Sequence, residues 1–152
     1  MGCFSTTSLD TMRALVGICV LLGGCSGDVV TRSYADLAAA NADDLFDRGW
    51  LPDILPKSAK RIRTANNLDL NTSVGSFEIS PTDSPSLYGR LQSGAPVGAP
   101  FADWEQTVTE FKSQGYSSWT YRYDDSTWAF FCSAANDHCE YLMWLREPGV
   151  GV

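Results

Sequence analysis

Histidine is nearly missing from this chain: His138 is the only one in 152 residues. Basic charge is also scarce, with eleven Lys and Arg against eighteen Asp and Glu, for a net charge of −7. That balance excludes a general nucleic-acid binder, which needs cations to displace counterions from phosphates. No apolar run reaches the roughly 20 residues that a transmembrane helix requires. There is no Gly-x-Ser-x-Gly elbow to expose a serine nucleophile, and no internal repeat. Aromatics, by contrast, are plentiful: five Trp, six Tyr and seven Phe, in a chain 44% apolar. Such a chain buries a real core, and its length suits one domain.

Five cysteines divide by position. Cys3, Cys19 and Cys25 crowd the start, while Cys132 and Cys139 lie near the end. The late pair is spaced for a cross-strand disulfide in an oxidising compartment. From Met12 the chain reads MRALVGICVLLGGC: one cation, an apolar run from Ala14 to Leu22, two glycines, then Cys25. This is the layout of a secretory signal. Residues 1–11 fit poorly as its leader, which makes Met12 a candidate start. A buried helix over 12–22 is the alternative, disfavoured because the run stops at Gly-Gly-Cys-Ser-Gly.

Leu22-Gly23-Gly24-Cys25 resembles the lipobox of bacterial lipoproteins. In that family a diacylglyceryl group joins the cysteine sulfur, and cleavage makes the cysteine residue one. The resemblance implies a signal peptide over 1–24 and a palmitate-bearing Cys25 that holds the protein to the lipid bilayer. Ser26, rather than Asp, implies sorting to the outer membrane, with the head in the periplasm or at the cell surface. Two or three acyl chains anchor firmly where one is marginal.

Residues 25–33 read as a lipidated tether and 34–148 as a single α+β head. Ser33-Tyr-Ala-Asp36 has capping-box spacing, so a first helix is expected to run to Arg48, burying Tyr34, Leu37, Ala38, Asn41 and Leu45. Asp43, Asp44 and Asp47 sit at its unfavourable end, as a solvated face or an acidic contact surface. Pro52 and Pro56 forbid a helix in the next stretch. Strands are expected at 60–68 and 74–80, followed by a long Pro/Ser/Gly loop over 80–100 pinned by Leu87, Tyr88 and Leu91. A second helix spans 102–114, with Phe101, Trp104, Val108 and Phe111 as its apolar stripe. Strands at 116–123, 127–132 and 139–146 complete an α-β-β-α-β-β-β order. Pairing Cys132 with Cys139 places Phe130 opposite Tyr141 and Trp128 opposite Met143. The expected architecture is a small antiparallel sheet of about five strands with two helices packed on one face.

Few residue sets carry chemistry. His138 has Asp137 beside it in sequence, which does not make a triad, and a surface-loop histidine is the simpler reading. His138 with Cys132 and Cys139 offers three zinc donors, but an exported cysteine pair oxidises. Asn67, Asp69, Asn71, Ser73, Gly75 and Glu78 fall on alternate positions of a calcium-loop register. Thr72 occupies the place where that loop wants glycine, and the same alternation arises in any polar turn between strands. Lys57, Lys60, Arg61 and Arg63 hold four of the eleven cations. They either guard an edge strand against aggregation or dock an acidic partner such as anionic headgroups or a cell-wall polymer. Asp124 and Asp125 occupy a turn open to water, unsuited to general-acid work.

The stretch RGWLPDILPKSAKRIRTANNLDLNTSVGSFEIS, residues 48–80, resembles the YbbD-type head domain of bacterial lipoproteins and membrane proteins. The matching positions are Trp50, Pro52, Leu55, Pro56, Ser58, Ala59, Ile62, Leu68, Asp69, Asn71 and Phe77. The resemblance implies a fold and a compartment but supplies no catalytic residue. The leading expectation is a non-enzymatic envelope lipoprotein, without cofactor or metal, that binds a protein or cell-wall partner. An inhibitor or immunity-type lipoprotein would project the 81–99 or 133–138 loop as a plug. A cell-wall hydrolase would gather at least two of Asp69, Glu78, Asp124, His138 and Glu140 in a pocket.

Overall fold

The structure, a computed structural model, describes residues 28–145. The signal segment, Cys25 and Arg146 lie outside the described residues. In chain order the elements are β1 (Val29–Asp36), α1 (Leu37–Ala42), β2 (Lys60–Asn67), β3 (Thr72–Glu78), α2 (Ser84–Tyr88), β4 (Gln92–Ser93), α3 (Trp104–Ser113), β5 (Ser117–Tyr123), β6 (Ser126–Ser133) and β7 (His138–Leu145). The strands form one sheet in the order β1-β2-β3-β7-β6-β5-β4, with every neighbouring pair antiparallel. Two meanders, β1–β3 and β5–β7, are thus joined by the β3–β7 ladder. The α+β class stands, but the sheet has seven described strands rather than about five.

The two added strands have identifiable causes. Residues 29–36 form a strand where a tether and a helix start were expected. Val29, Val30 and Thr31 are β-branched, and such side chains fit a pleated surface better than a helix. The helix begins only after Asp36, whose carboxylate accepts the Ala39 N–H at 2.9 Å and so caps α1 in place of Ser33. The helix is six residues long and gives way to turns well before Arg48. In the 80–100 segment, Leu87 on α2 is fully buried, Tyr88 stacks on Trp119 at 4.9 Å, and β4 pairs with the outer side of β5.

The remaining strands lie within two residues of the expected bounds, and α3 falls inside its expected range. Phe130 faces Tyr141, Trp128 faces Met143, and Cys132 faces Cys139. Cys132 and Cys139 form a disulfide that ties the two strands together at their turn.

Helices cover both faces of the sheet, which corrects the one-face expectation. On the first face, α1, α2 and the 45–59 segment pack Ala40, Leu45, Leu51, Ile54 and Leu87 on Ile62, Phe77, Phe130 and Tyr141. On the second, α3 packs Trp104 and Phe111 against Phe131 and Trp144. The reason is legible in β6 itself: Thr127-Trp-Ala-Phe-Phe-Cys-Ser133 shows no apolar–polar alternation and is buried at every position. A strand so composed needs cover on both sides. Among the described glycines the closest approach is at Gly75, opposite Tyr141, where an added Cβ would meet the Arg63 carbonyl and lie 2.7 Å from the tyrosine ring.

On the second face Trp104 is the anchor: its indole N–H donates to the Pro96 carbonyl at 2.9 Å, and its ring meets Phe101, Phe131 and Trp144. Replacing Trp104 with Ala is expected to cost about 3–5 kcal/mol, the range for large aromatic truncations in cores. Urea unfolding of the two proteins, read as a midpoint shift at constant slope, measures it.

Candidate functional site

The β1–β2 register gives the sheet two chemically distinct ends. Val29 pairs with Asn67 at one end, and Asp36 with Lys60 at the other. Thr72, Leu145, Ser126 and Tyr123 share the Val29 end, and Glu78, His138 and Ser133 share the Lys60 end.

At the Lys60 end, the β2–β3 register shifts between Lys60 and Arg63, and Arg61 adopts a left-handed φ of 48°. Such a bulge re-aims the side chain. The Arg61 guanidinium forms a two-point ion pair with the Glu78 carboxylate. Lys57, Lys60 and Arg63 are exposed and make no ion pair among the described residues. β2 lies between β1 and β3, so this basic run does not guard an edge strand. β1 is the edge.

The same end holds His138, whose ring Nε2 lies 2.9 Å from Glu140 Oε1. Glu78 is committed to Arg61, and Asp69 accepts from the Asp28 N–H at 3.3 Å at the far end of the sheet. Of the five groups that a hydrolase would gather, His138 and Glu140 meet outside both described clefts, and Asp124 alone lines one of them. The calcium-loop set is not brought together. Asn67 accepts from the Asp69 and Leu70 N–H groups, Ser73 is buried against Tyr141, and Glu78 lies at the opposite end of β3. Among the described residues no three His, Cys, Asp or Glu side chains cluster as metal ligands do. The 81–99 loop lies on the sheet through Leu87 and Tyr88, while Val97 within it is 94% exposed.

The Val29 end carries features that sequence reasoning missed. A cleft of about 260 Å³ lies between Arg48–Trp50, Leu68 and the β5–β6 turn at Asp124–Asp125. The Arg48 guanidinium sits over the Trp50 ring, 5.4 Å from its centroid. A larger cleft of about 670 Å³, with Asp47, Asp53, Arg90 and Tyr121 on its walls, adjoins it through Gly49, Tyr123 and Ser126. Its one sequence signal is the alternation of Tyr121 and Tyr123 on β5, which reads equally well as ordinary strand patterning. Of the aromatic side chains among the described residues, Tyr123 alone is strongly exposed, at 69%. The others mostly serve the core.

Buried polar contacts fasten the first-face cover to the sheet. Ser73 Oγ lies 3.2 Å from the Tyr141 hydroxyl and 3.4 Å from the Trp50 carbonyl. Burial pushes the Tyr141 pKa up. Tyr34 donates its hydroxyl to Asp43 at 2.6 Å, so Asp43 is a fastening and not a free acidic face.

Residues 28–78, about a third of the chain, match the family model of the YbbD head domain. Over that span the chain resembles the YbbD head. No curated protein and no solved structure matches the chain. The match covers the whole first meander, and the positions that carry the resemblance are structural ones. Ala59, Ile62 and Phe77 fill the core, Ser58 Oγ accepts the Ser80 N–H at 3.2 Å, and Asn71 takes a left-handed φ of 49° at the β2–β3 turn. The YbbD-like third thus accounts for a scaffold.

Burial and the Asp43 hydrogen bond raise the Tyr34 pKa from 10.0 to about 12. Between those values the unfolded chain has lost a proton that the folded chain keeps, so stability falls as pH rises through this window. Tyr34→Phe is expected to flatten the fall and to cost about 1 kcal/mol at neutral pH, the usual worth of a hydrogen bond. Some slope remains, because burial also raises Tyr88 and Tyr141. Denaturant titrations at stepped pH check both effects.

Proposed function

We propose that this is a lipid-anchored cell-envelope protein, held to the outer membrane through an acylated Cys25. Its non-enzymatic head offers Lys57, Lys60 and Arg63, with the Arg61–Glu78 pair beside them, to an acidic envelope protein or cell-wall polymer. The observation that carries this reading is the β1–β2 register, with Val29 beside Asn67 and Asp36 beside Lys60. Seven strand steps separate the two ends, about 23 Å at the usual rise. Lys57 and Lys60 therefore stand at the end away from Cys25, where a tethered head reaches into the surrounding envelope, with Arg63 midway along β2. Cations gathered on a protein of net charge −7 make a local field that steers acidic partners. The lipobox, the disulfide and the YbbD head match support an exported protein. No described helix is long and apolar enough to cross a membrane, so an anchor of another kind fits the head.

Labelled palmitate followed by membrane fractionation tests the anchor: the native chain is expected in membranes with label, and Cys25→Ser in the soluble fraction without it. Crosslinking in intact envelopes and pelleting with isolated cell wall test the head. Lys57→Glu/Lys60→Glu/Arg63→Glu is expected to lose the captured partner while remaining membrane-bound. Unchanged capture by that variant contradicts the assignment of the basic end.

A further inference from the structure

We infer that the Val29 end of the head is a membrane-seating surface, apolar at its tip, that rests on a zwitterionic lipid bilayer. The inference deepens the proposed anchoring through Cys25 and rests on it.

Seven large apolar side chains are strongly exposed among the described residues, and five of them, Val29, Leu68, Leu70, Tyr123 and Leu145, sit at this one end. Scattered exposed apolar residues need no explanation, but a cluster at one end marks an interaction surface. Leu70 and Tyr123 are each 69% exposed. Tyrosine suits the bilayer interface, where the ring meets apolar chains and the hydroxyl stays wet.

The occupant follows from where the chain arrives. Asp28 is fastened to the β2–β3 turn twice: its N–H donates to Asp69 Oδ2 at 3.3 Å, and its carbonyl accepts from Leu68 N–H at 3.1 Å. Cys25 lies three residues before Asp28. Three residues of fully extended chain reach about 11 Å at most. An acylated Cys25 therefore keeps Asp28, and the Leu68–Leu70 turn fastened to it, within reach of the bilayer surface. So short a tether makes contact effectively intramolecular, and weak apolar contacts then suffice.

Charge selects the kind of surface. Asp28, Asp69, Asp124 and Asp125 border the apolar residues, against two described cations, Arg48 at the adjoining cleft and Arg122 beside Tyr123 on β5, so the end is net acidic. An anionic leaflet repels that end, whereas phosphatidylethanolamine headgroups offer ammonium groups to it. Seating this end also points the Lys60 end away from the bilayer.

The test uses the acylated chain purified from membranes and reconstituted into phosphatidylethanolamine/phosphatidylcholine vesicles, with or without brominated acyl chains. Leu70→Trp places a reporter at the tip, and Ala135→Trp places one in the exposed β6–β7 turn at the opposite end. Emission of the native protein is subtracted. Leu70→Trp is expected to blue-shift on reconstitution and to lose intensity to bromine, while Ala135→Trp does neither. Replacing part of the lipid with phosphatidylglycerol is expected to weaken the Leu70→Trp signal. If the protein floats with vesicles and Leu70→Trp is quenched no more than Ala135→Trp, the seating is overturned, and the apolar tip belongs to a protein partner. If the chain does not float, the anchor itself fails and the seating falls with it.

Discussion

Burial of β6 on both faces is the constraint on which the rest of this structure depends. A strand that places Trp128, Phe130 and Cys132 on one side and Ala129 and Phe131 on the other cannot be satisfied by one layer of helix. The chain meets the demand with α1, α2 and the proline-rich 45–59 segment on the first face and α3 on the second. Flanking β6 with β7 and β5 satisfies its backbone groups, which could not otherwise be buried. β7 then has a free side, and β3 fills it. Gly75 allows that seam to close, because any side chain there would occupy the space of the Tyr141 ring.

Much of this was legible in the residues, for a physical reason. β5 carries Trp119, Tyr121 and Tyr123 at period two, β6 is an unbroken aromatic-rich run, and the cysteine pair sets the register of the last hairpin. The first strand was hidden by competing local signals. Ser33-x-x-Asp36 imitates a capping box, and the alanines after Asp36 favour helix, so local propensity argued for helix across a segment that the open edge of β2 recruits as strand. The two-sided cover was present in the unbroken apolar run of β6. The clefts had almost no signal. Asp47 and Asp53, Arg90, and Tyr121 come from three distant parts of the chain and meet only through the fold.

The YbbD-like span and the remainder contribute differently. Residues 28–78 supply β1–β3 and, except for α2, the first-face cover, and their shared positions are core and turn residues. The aromatic core, the disulfide and α3 come from the rest of the chain. The β1–β2 ladder also separates the apolar turn at Leu68 and Leu70 from the cations at Lys57, Lys60 and Arg63. That polarity, more than any single side chain, connects the fold to the proposed role, because an anchored head with unlike ends presents one end to lipid and the other to its surroundings.

Native-state amide hydrogen exchange across the β3–β7 seam tests the central structural claim most directly. If one cooperative sheet is organised around β6, the ladder amides of Phe77 on β3 and Tyr141 on β7 exchange only with the global unfolding that also releases Phe130. Exchange of the β1–β3 amides at a distinctly lower free energy than those of β5–β7 would contradict it, and would make the YbbD-like meander a separate unit docked on an aromatic hairpin.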